Sequence, residues 1–216
     1  MSRLFIEILD KDKAEVFEQL RVFRHGRYLV GGTALALQLG HRKSVDFDLF
    51  SNVKISLQDR EEVIKIFGGN LHFTADNQNQ LTFLTARSVK VTFAYTPYRP
   101  FHILTANKSL PLPLLSVADI ASDKAFTIGR RAAYRDYVDL YFILKSGMPL
   151  PKIVQETAKR YGAMFEEKLF LEQLEFMGDL KDRQIDFIGK PKTFEEIHEF
   201  LHQQVKLYLT KSKIVI

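Results

Sequence analysis

One stretch of the chain, Leu29–Phe50, restricts the possible folds more than any other part of the sequence. It begins in a short apolar run, Tyr28–Val30, which ends at a Gly-Gly pair. A helical run over Thr33–Leu39 follows and stops at Gly40, the residue type that most often ends a helix. The pattern therefore predicts a short strand that turns directly into a helix.

The last part of this stretch, Ser44–Phe50, alternates polar and apolar residues and predicts a second strand. Val45 is expected to share a buried face with the apolar residues that follow it, whereas Asp46 and Asp48 share the opposite face. Two carboxylates that lie two residues apart on one face of a strand repel each other when no basic partner lies between them. A divalent metal would relieve the repulsion, and Mg²⁺ favours carboxylate oxygens together with substrate phosphates.

The Gly-Gly pair, Gly31 and Gly32, is expected to open the helix, whose first N–H groups have no partner within the helix and attract anions. Glycine allows a phosphate to approach the backbone closely, and Thr33 adds a hydroxyl group. Each feature alone is common in proteins, but their order and spacing together are specific. One stretch offers a phosphate site and a carboxylate pair, which are the requirements of nucleotidyl transfer.

These residues closely resemble the signature of the AbiEii/AbiGii toxin-like nucleotidyltransferases, a family of the DNA polymerase β-like superfamily. That signature is a Gly-Gly-Thr/Ser helix start followed by Arg-x-Ser-x-Asp-x-Asp. The chain carries it complete, as Gly31, Gly32, Thr33, Arg42, Ser44, Asp46 and Asp48. The resemblance implies that the first five bind the nucleotide and that Asp46 and Asp48 bind Mg²⁺ or Mn²⁺ and act in catalysis.

A second signature of the same family is a lysine on one helix, then Arg-x-x-x-Arg/Lys-Asp-x-x-Asp-Leu. The matching residues here are Lys124, Arg131, Arg135, Asp136 and Asp139. The resemblance implies that Lys124 and Arg131 bind the nucleotide and that Lys124, Asp136 and Asp139 belong to the catalytic set. The spacing of the charges leaves an alternative open, which is an intrahelical set of ion pairs on a solvated surface.

The strand predicted over Val89–Tyr95, the second of a hairpin with Leu81–Thr85, departs from the resembled superfamily. A third carboxylate is usual on this strand, and the sequence has Thr92 in its place, in phase with Lys90 on the polar face. A threonine hydroxyl is a weaker metal ligand and a poor base. We therefore expect nucleotide binding with slow transfer.

Composition limits the class of protein. The chain has 216 residues, a net charge of +5 and no cysteine, so it has neither a disulfide framework nor a thiolate metal site. It has no apolar run of the roughly 20 residues that a membrane helix needs, and no signal-peptide pattern. These features predict a cytoplasmic protein without a membrane partner.

The coarse pattern predicts an α/β fold, a small mixed sheet with helices followed by a C-terminal helical bundle. Residues 1–110 are expected to form the nucleotidyltransferase-like domain, and residues 111–216 a helical domain that closes the active-site cleft. The proline-rich segment Thr96–Leu114 is interpreted as the linker. A capping box, Asp12 to Glu15, predicts the start of the first helix, and Ser56 to Asp59 predicts the start of another.

The predicted function is Mg²⁺-dependent transfer of a nucleoside monophosphate from an NTP to an acceptor, expected to be RNA such as a tRNA 3′ end. The resemblance implies the toxin of a bacterial toxin–antitoxin or phage-defence pair, with a cognate antitoxin protein as partner. Two alternatives stay open. One is a catalytically weak nucleotide- or RNA-binding protein, which Thr92 favours, and the other is a transferase that modifies a protein.

Overall fold

The computed structural model describes residues 3–69, 71–104, 110–128, 130–131, 133–180 and 183–212. The chain divides into two compact units, with the boundary between Ser116 and Val117. The segment interpreted as the linker therefore lies within the first unit.

The described part of the first unit combines one mixed seven-stranded sheet with three α-helices. The strands are β1 (Tyr28–Val30), β2 (Phe47–Ser51), β3 (His72–Asp76), β4 (Gln80–Leu84), β5 (Lys90–Tyr95), β6 (Ile103–Leu104) and β7 (Leu114–Leu115). The helices are α1 (Lys11–Gln19), α2 (Gly31–Leu39) and α3 (Leu57–Phe67), and a 3₁₀ turn over Leu20–Phe23 follows α1. The strand order is β3-β4-β5-β2-β1-β7-β6.

Strand β2 lies in the middle of this sheet, antiparallel to β1 and parallel to β5. Alternation of side chains along β2 and β5 places one face of the sheet in the core, where Leu49, Val91 and Phe93 are fully buried. The opposite face carries Asp48 and Thr92, which are only partly buried. Asp48, one of the residues predicted for catalysis, thus lies on the more accessible face.

The sequence placed the start of β2 too early. The predicted strand begins at Ser44, whereas the observed strand begins at Phe47, and Val45 is 51% exposed rather than packed with its apolar neighbours. Residues 43–46 lie outside the ladder, and the Asp46 carbonyl accepts a hydrogen bond from the Thr33 side chain. The alternation in the sequence continues past the point where the backbone leaves the sheet.

Two further predictions of local structure were wrong. Helix α1 is capped by Asp10, whose carboxylate accepts from the Lys13 N–H, and not by Asp12. The segment interpreted as the linker contains β6 and the first residue of β7, and β7 extends the sheet by pairing with β1. By contrast, the capping box at the start of α3, between Ser56 and Asp59, is formed as expected.

Among the described residues of the second unit, the elements of regular secondary structure are helices. Its helices are α4 (Val117–Ile128), α5 (Tyr134–Lys145), α6 (Leu150–Tyr161), α7 (Glu167–Glu175) and α8 (Phe194–Ser212). Helix α4 packs against α5 and α6, and α7 packs against α8. Apolar side chains such as Tyr137, Phe170 and Leu201 are almost completely buried between them.

The α/β fold predicted from the sequence is therefore confirmed, as a mixed sheet with helices and a helical unit after it. Within the described ranges, every helix is too short or too polar to span a bilayer.

Candidate functional site

The helix α2 begins directly after β1, at Gly31, without a side chain that caps its N-terminus. Gly31 has a φ of +66°, a left-handed conformation that residues with a β-carbon adopt at a cost. A β-carbon at this position would also stand 3.3 Å from Oδ2 of Asp48. The pairing of Val30 with Asp48 across β1 and β2 brings that carboxylate to the start of the helix.

The second glycine makes room for Arg42. A β-carbon on Gly32 would overlap Nη2 of Arg42, so the guanidinium lies directly against the first turn of α2. Arg42 is 4% exposed, and its Nη1 donates to the Lys43 carbonyl at 3.0 Å. A fixed cation and the positive end of a helix thus lie side by side, which strengthens the attraction for anions.

Two buried hydroxyl groups connect the helix to the aspartate segment. Oγ1 of Thr33 lies 2.7 Å from Oγ of Ser44 and donates to the carbonyl of Asp46. Since a hydroxyl has one proton, Ser44 donates to Thr33 when Thr33 donates to Asp46. Both residues are buried, and their contact with the nucleotide stays a prediction.

Asp46 has a basic partner that the sequence analysis did not assign to it. Nζ of Lys90 lies 3.3 Å from Oδ2 of Asp46, because Lys90 and Asp46 each precede a paired residue of the parallel strands β5 and β2. Lys90 therefore relieves part of the repulsion within the carboxylate pair. Both side chains are substantially exposed, so water and salt screen their attraction.

Thr92 pairs with Asp48 across β5 and β2, so the strand that carries Thr92 lies beside the aspartate strand. On its other side Thr92 pairs with Thr82, and their hydroxyl oxygens are 3.4 Å apart. The side chains that lie beside Asp48 across β5 and β4 thus carry neutral hydroxyl groups. Among the described residues, no three acidic, histidine or cysteine side chains form a cluster suited to a metal, so Asp46 and Asp48 are the carboxylates available at this face.

The second predicted set of residues lies in the second unit, at the contact of α4 and α5. Nζ of Lys124 lies 2.7 Å from Oδ1 of Asp136 and 2.6 Å from Oδ2 of Asp139. Nε of Arg131 lies 3.0 Å from Oδ2 of Asp136. Lys124 and both aspartates are buried and the lysine pairs between helices, so the alternative of an intrahelical surface set does not describe them.

The buried lysine remains charged. Burial alone would lower the pKa of Lys124, but the attraction of Asp139 and Asp136 and the hydrogen bonds to both outweigh burial and raise the pKa. An ammonium group has three protons, and the two aspartates take two of them. The third is the one that a phosphate oxygen would accept.

The sequence analysis missed a second buried charge network in the same unit. Nη1 of Arg160 lies 3.2 Å from Oδ1 of Asp119 and 3.0 Å from Oδ1 of Asp123, and the Tyr161 hydroxyl donates to Asp123 at 2.5 Å. Burial raises the pKa of Asp123 to about 6, against the opposing effects of Arg160 and Tyr161. This network joins α6 to α4, the helix that carries Lys124. The spacing of Asp119 and Asp123, four residues apart on one helix, was the available signal.

The first unit therefore assembles Gly31, Gly32, Thr33, Arg42, Ser44, Asp46 and Asp48, and the second unit assembles Lys124, Arg131, Asp136 and Asp139. Arg135, which completes the second signature, is exposed.

The chain is similar to known proteins in sequence and in fold. Protein aq_aa25 of Aquifex aeolicus is 28% identical over 186 residues, which cover 84% of this chain and 87% of that protein. The fold is similar to a crystal structure of a nucleotidyltransferase from Helicobacter pylori (TM-score 0.57, 17% identity, 95% of this chain and 98% of the other). It is also similar to MenT4, a nucleotidyltransferase toxin of Mycobacterium tuberculosis (TM-score 0.58, 18% identity, 89% and 80%).

The family model that describes the nucleotidyl transferase AbiEii toxin of type IV toxin–antitoxin systems matches residues 17–202. This match covers both units and all of the residues of the two predicted signatures. The chain therefore belongs to the AbiEii nucleotidyl transferase toxin family.

Proposed function

We propose that this protein transfers a nucleoside monophosphate from an NTP to an acceptor RNA. The observation that carries the proposal is the position of the Asp48 carboxylate, 3.3 Å from where a β-carbon on Gly31 would stand, at the uncapped start of α2. This proximity joins an anion-binding helix end to a carboxylate pair within one segment. The main chain at Gly31 and Gly32, with Arg42, would hold the phosphates.

Asp46 and Asp48 are the residues proposed to hold a divalent cation, Mg²⁺ or Mn²⁺. Carboxylate oxygens suit these ions, and Asp48 lies beside the phosphate site, so the residues present fit such an ion. A cation bound there supplies charge that stabilises the phosphates during the displacement. Thr33 and Ser44 act through the Asp46 backbone, which they fix in place.

In the proposed reaction, a hydroxyl oxygen of the acceptor forms a bond to the α-phosphorus of the NTP. The bond from that phosphorus to the β-phosphate oxygen breaks, and pyrophosphate leaves with its electron pair. The hydroxyl proton passes to solvent water. Lys124, with Arg131, would bind the triphosphate, because an ammonium group has a third proton to donate in addition to the two that the aspartates accept.

The proposed biological role is that of the toxin in a toxin–antitoxin pair. Family membership and the fold shared with MenT4, which is described as a nucleotidyltransferase toxin, support this role. We infer a cognate antitoxin protein as partner and a function in phage defence. The proposed place of action is the cytoplasm, where NTPs and RNA meet.

A weakly catalytic or inactive nucleotide- or RNA-binding protein is the second candidate function. The pairing of Asp48 with Thr92 favours it, because a neutral hydroxyl occupies the position beside the carboxylate pair. A transferase that modifies a protein would use the same chemistry and differ only in its acceptor.

One assay distinguishes these functions. The protein is incubated with each α-labelled NTP in turn, Mg²⁺, total RNA and a cell extract, and label is sought in both RNA and protein. We expect labelled RNA with one preferred NTP, and no label with Asp48→Asn. Label in protein would identify the protein-modifying transferase. Nucleotide binding by calorimetry without label in either fraction would identify the binding protein and contradict the proposal.

A further inference from the structure

Outside the residues assigned above, the second unit carries a stack of three planar side chains. The ring of Tyr161 lies 3.8 Å from the ring of Phe126, with 8° between their planes. Cζ of Arg130 lies 3.7 Å from the centre of the Phe126 ring. Two groups this close cannot share one face of a ring, so Tyr161 and Arg130 lie on opposite faces of Phe126. We call these three residues the Arg130 stack.

The Arg130 stack extends from the core to the surface. Tyr161 is 8% exposed, Phe126 is half-buried, and Arg130 is exposed. One face of the guanidinium is covered by Phe126, which leaves the other face directed away from the ring. A planar cation therefore forms the outer layer.

The guanidinium is also held in a fixed orientation. Its Nη1 donates to the Phe126 carbonyl at 3.1 Å, and its Nη2 donates to the Met164 carbonyl. At the inner end, the Tyr161 hydroxyl is fixed by its 2.5 Å hydrogen bond to Asp123. An exposed arginine ordinarily loses much side-chain entropy when it binds a ligand, and here the order exists before binding.

The surroundings of Arg130 suit a polyanion with planar groups. Arg131, whose side chain is 63% exposed, and the exposed Arg135 lie nearby in the sequence and add positive charge. Met164, whose carbonyl holds Arg130, is itself 53% exposed and offers an apolar edge. Unpaired bases stack on aromatic rings and on guanidinium planes, and phosphates pair with arginine.

We propose that the Arg130 stack binds an unpaired base of a single-stranded RNA, with Arg131 and Arg135 near its phosphates. This inference rests on the proposed function in one respect, that the acceptor is RNA. A purely structural role of Arg130, in connecting α4 to the turn after α6, would need its hydrogen bonds but not its exposed face. The two roles therefore differ in whether binding depends on the bases.

The test uses two fluorescent probes of equal length and charge, oligo(A) of twelve nucleotides and an abasic ribose-phosphate chain of twelve units. Binding to the full chain is measured by anisotropy at constant ionic strength. We expect the wild type to prefer oligo(A) by about fivefold or more, the lower range for stacking of one base. Arg130→Lys retains the charge but not the plane, and should remove most of that preference while changing affinity for the abasic chain less than about twofold.

Lys152→Ala is the matched control, because Lys152 is exposed in the same unit and its removal deletes one positive charge. In this variant the affinity for both probes should fall equally, and the preference for oligo(A) over the abasic chain should remain. A wild type without preference, or an Arg130→Lys variant that retains it, would overturn the proposal. Displacement of both probes alike by a glutamate-rich peptide, without any preference for bases, would assign the surface to an acidic protein segment instead.

A second measurement needs no variant. Oligouridylate with one 4-thiouridine is cross-linked to the wild type by ultraviolet light, and the adducts are located by mass spectrometry. Adducts on peptides that contain Phe126, Arg130 or Met164 are expected, and adducts confined to other parts of the chain would contradict the proposal. Transfer of label from NTP is measured separately, so that failure of the transferase function and failure of the Arg130 stack give different results.

Discussion

Nζ of Lys124 lies 2.6 Å from Oδ2 of Asp139, and both side chains are almost completely shielded from solvent. Such a pair adds little net stability compared with apolar residues of similar volume, since both charges lose their hydration. Removal of one member is different, because the other charge is then buried without compensation. The pair is therefore a sensitive point for stability, and for the phosphate binding proposed for Lys124.

Lys124→Met is expected to lower the free energy of unfolding by about 3–5 kcal/mol, as measured by urea denaturation. Lys168→Met is the control, because Lys168 is 69% exposed and its pair with Glu172 is long, so its loss should cost less than about 1 kcal/mol. If the Lys124→Met variant remains folded, calorimetry should show a larger loss of affinity for NTP than for NMP. Equal losses would argue against contact with the terminal phosphates.

Asp48→Asn and Asp46→Asn should each abolish Mg²⁺-dependent transfer and leave the melting temperature nearly unchanged. Asp46 forms a screened pair with Lys90, so its replacement is expected to change the free energy of unfolding by less than about 1 kcal/mol. Label incorporation and thermal melting are measured for both variants. Transfer that survives both replacements in folded protein would show that these carboxylates do not hold the metal.

Gly31→Ala should cost about 1–2 kcal/mol of stability, because alanine must adopt a left-handed conformation. Its β-carbon would also press on the Asp48 carboxylate, and the displacement should lower transfer by about tenfold to a hundredfold. Gly26→Ala is the control, since a β-carbon there meets nothing within 4 Å and the backbone is not left-handed. Equal effects of the two substitutions would remove the special role assigned to Gly31.

Thr92→Asp tests the significance of the hydroxyl beside Asp48. If a third carboxylate restores help from a general base, turnover at saturating Mg²⁺ should rise by about 100-fold. Thr82→Asp introduces the same charge one strand farther from Asp48 and serves as the control. A wild type that is already fast, with Thr92→Asp slower or unchanged, would indicate that the base lies elsewhere, with Asp136 and Asp139 tested next.

Asp123 should make stability depend on pH. Its folded pKa is raised from 3.8 to about 6, chiefly by burial, and Arg160, Tyr161, Asp119 and Lys124 are the other charged or titratable groups that act on it. The folded state holds the proton more tightly, so this residue contributes a stability that is present below pH 3.8 and is lost as the pH rises through 6. The full contribution of Asp123 to the free energy of unfolding is roughly 3 kcal/mol.

The measurement is urea unfolding of the wild type and Asp123→Asn from pH 4 to pH 7. The stability of the wild type relative to Asp123→Asn should decline across that range, whatever their absolute difference. A constant difference would show that Asp123 titrates normally in the folded protein.

Local chemistry explains which parts of the fold were predictable. Gly40 ends α2 in a left-handed conformation, as the sequence suggested, since few other residues adopt it cheaply. The capping box of Ser56 also formed as expected, because all of its partners lie within four residues. Alternation also placed Asp48 and Thr92 on the polar face of their strands, as the burial of the residues beside them shows.

Contacts between distant segments explain the errors and omissions. Lys90 and Asp46 are separated by 44 residues, and their meeting depends on which strands become neighbours, which alternation does not specify. Val45 fits a strand pattern, but the Thr33 hydroxyl holds the next residue out of the sheet. The Arg130 stack likewise joins α4 to the end of α6, so no single stretch of sequence displays it.

The hydrogen bond from Thr33 to the Asp46 carbonyl has a consequence for how members of this family can vary in length. It connects the first turn of α2 to the backbone thirteen residues later, so the intervening segment forms a loop of fixed length. An insertion after Gly40 would have to bulge outward or break that hydrogen bond and shift Asp46 and Asp48 along the strand. This hydrogen bond therefore restricts the number of residues between Gly-Gly-Thr and Asp-x-Asp. In a family member in which that number differs, we expect a different contact to hold the aspartate segment against α2.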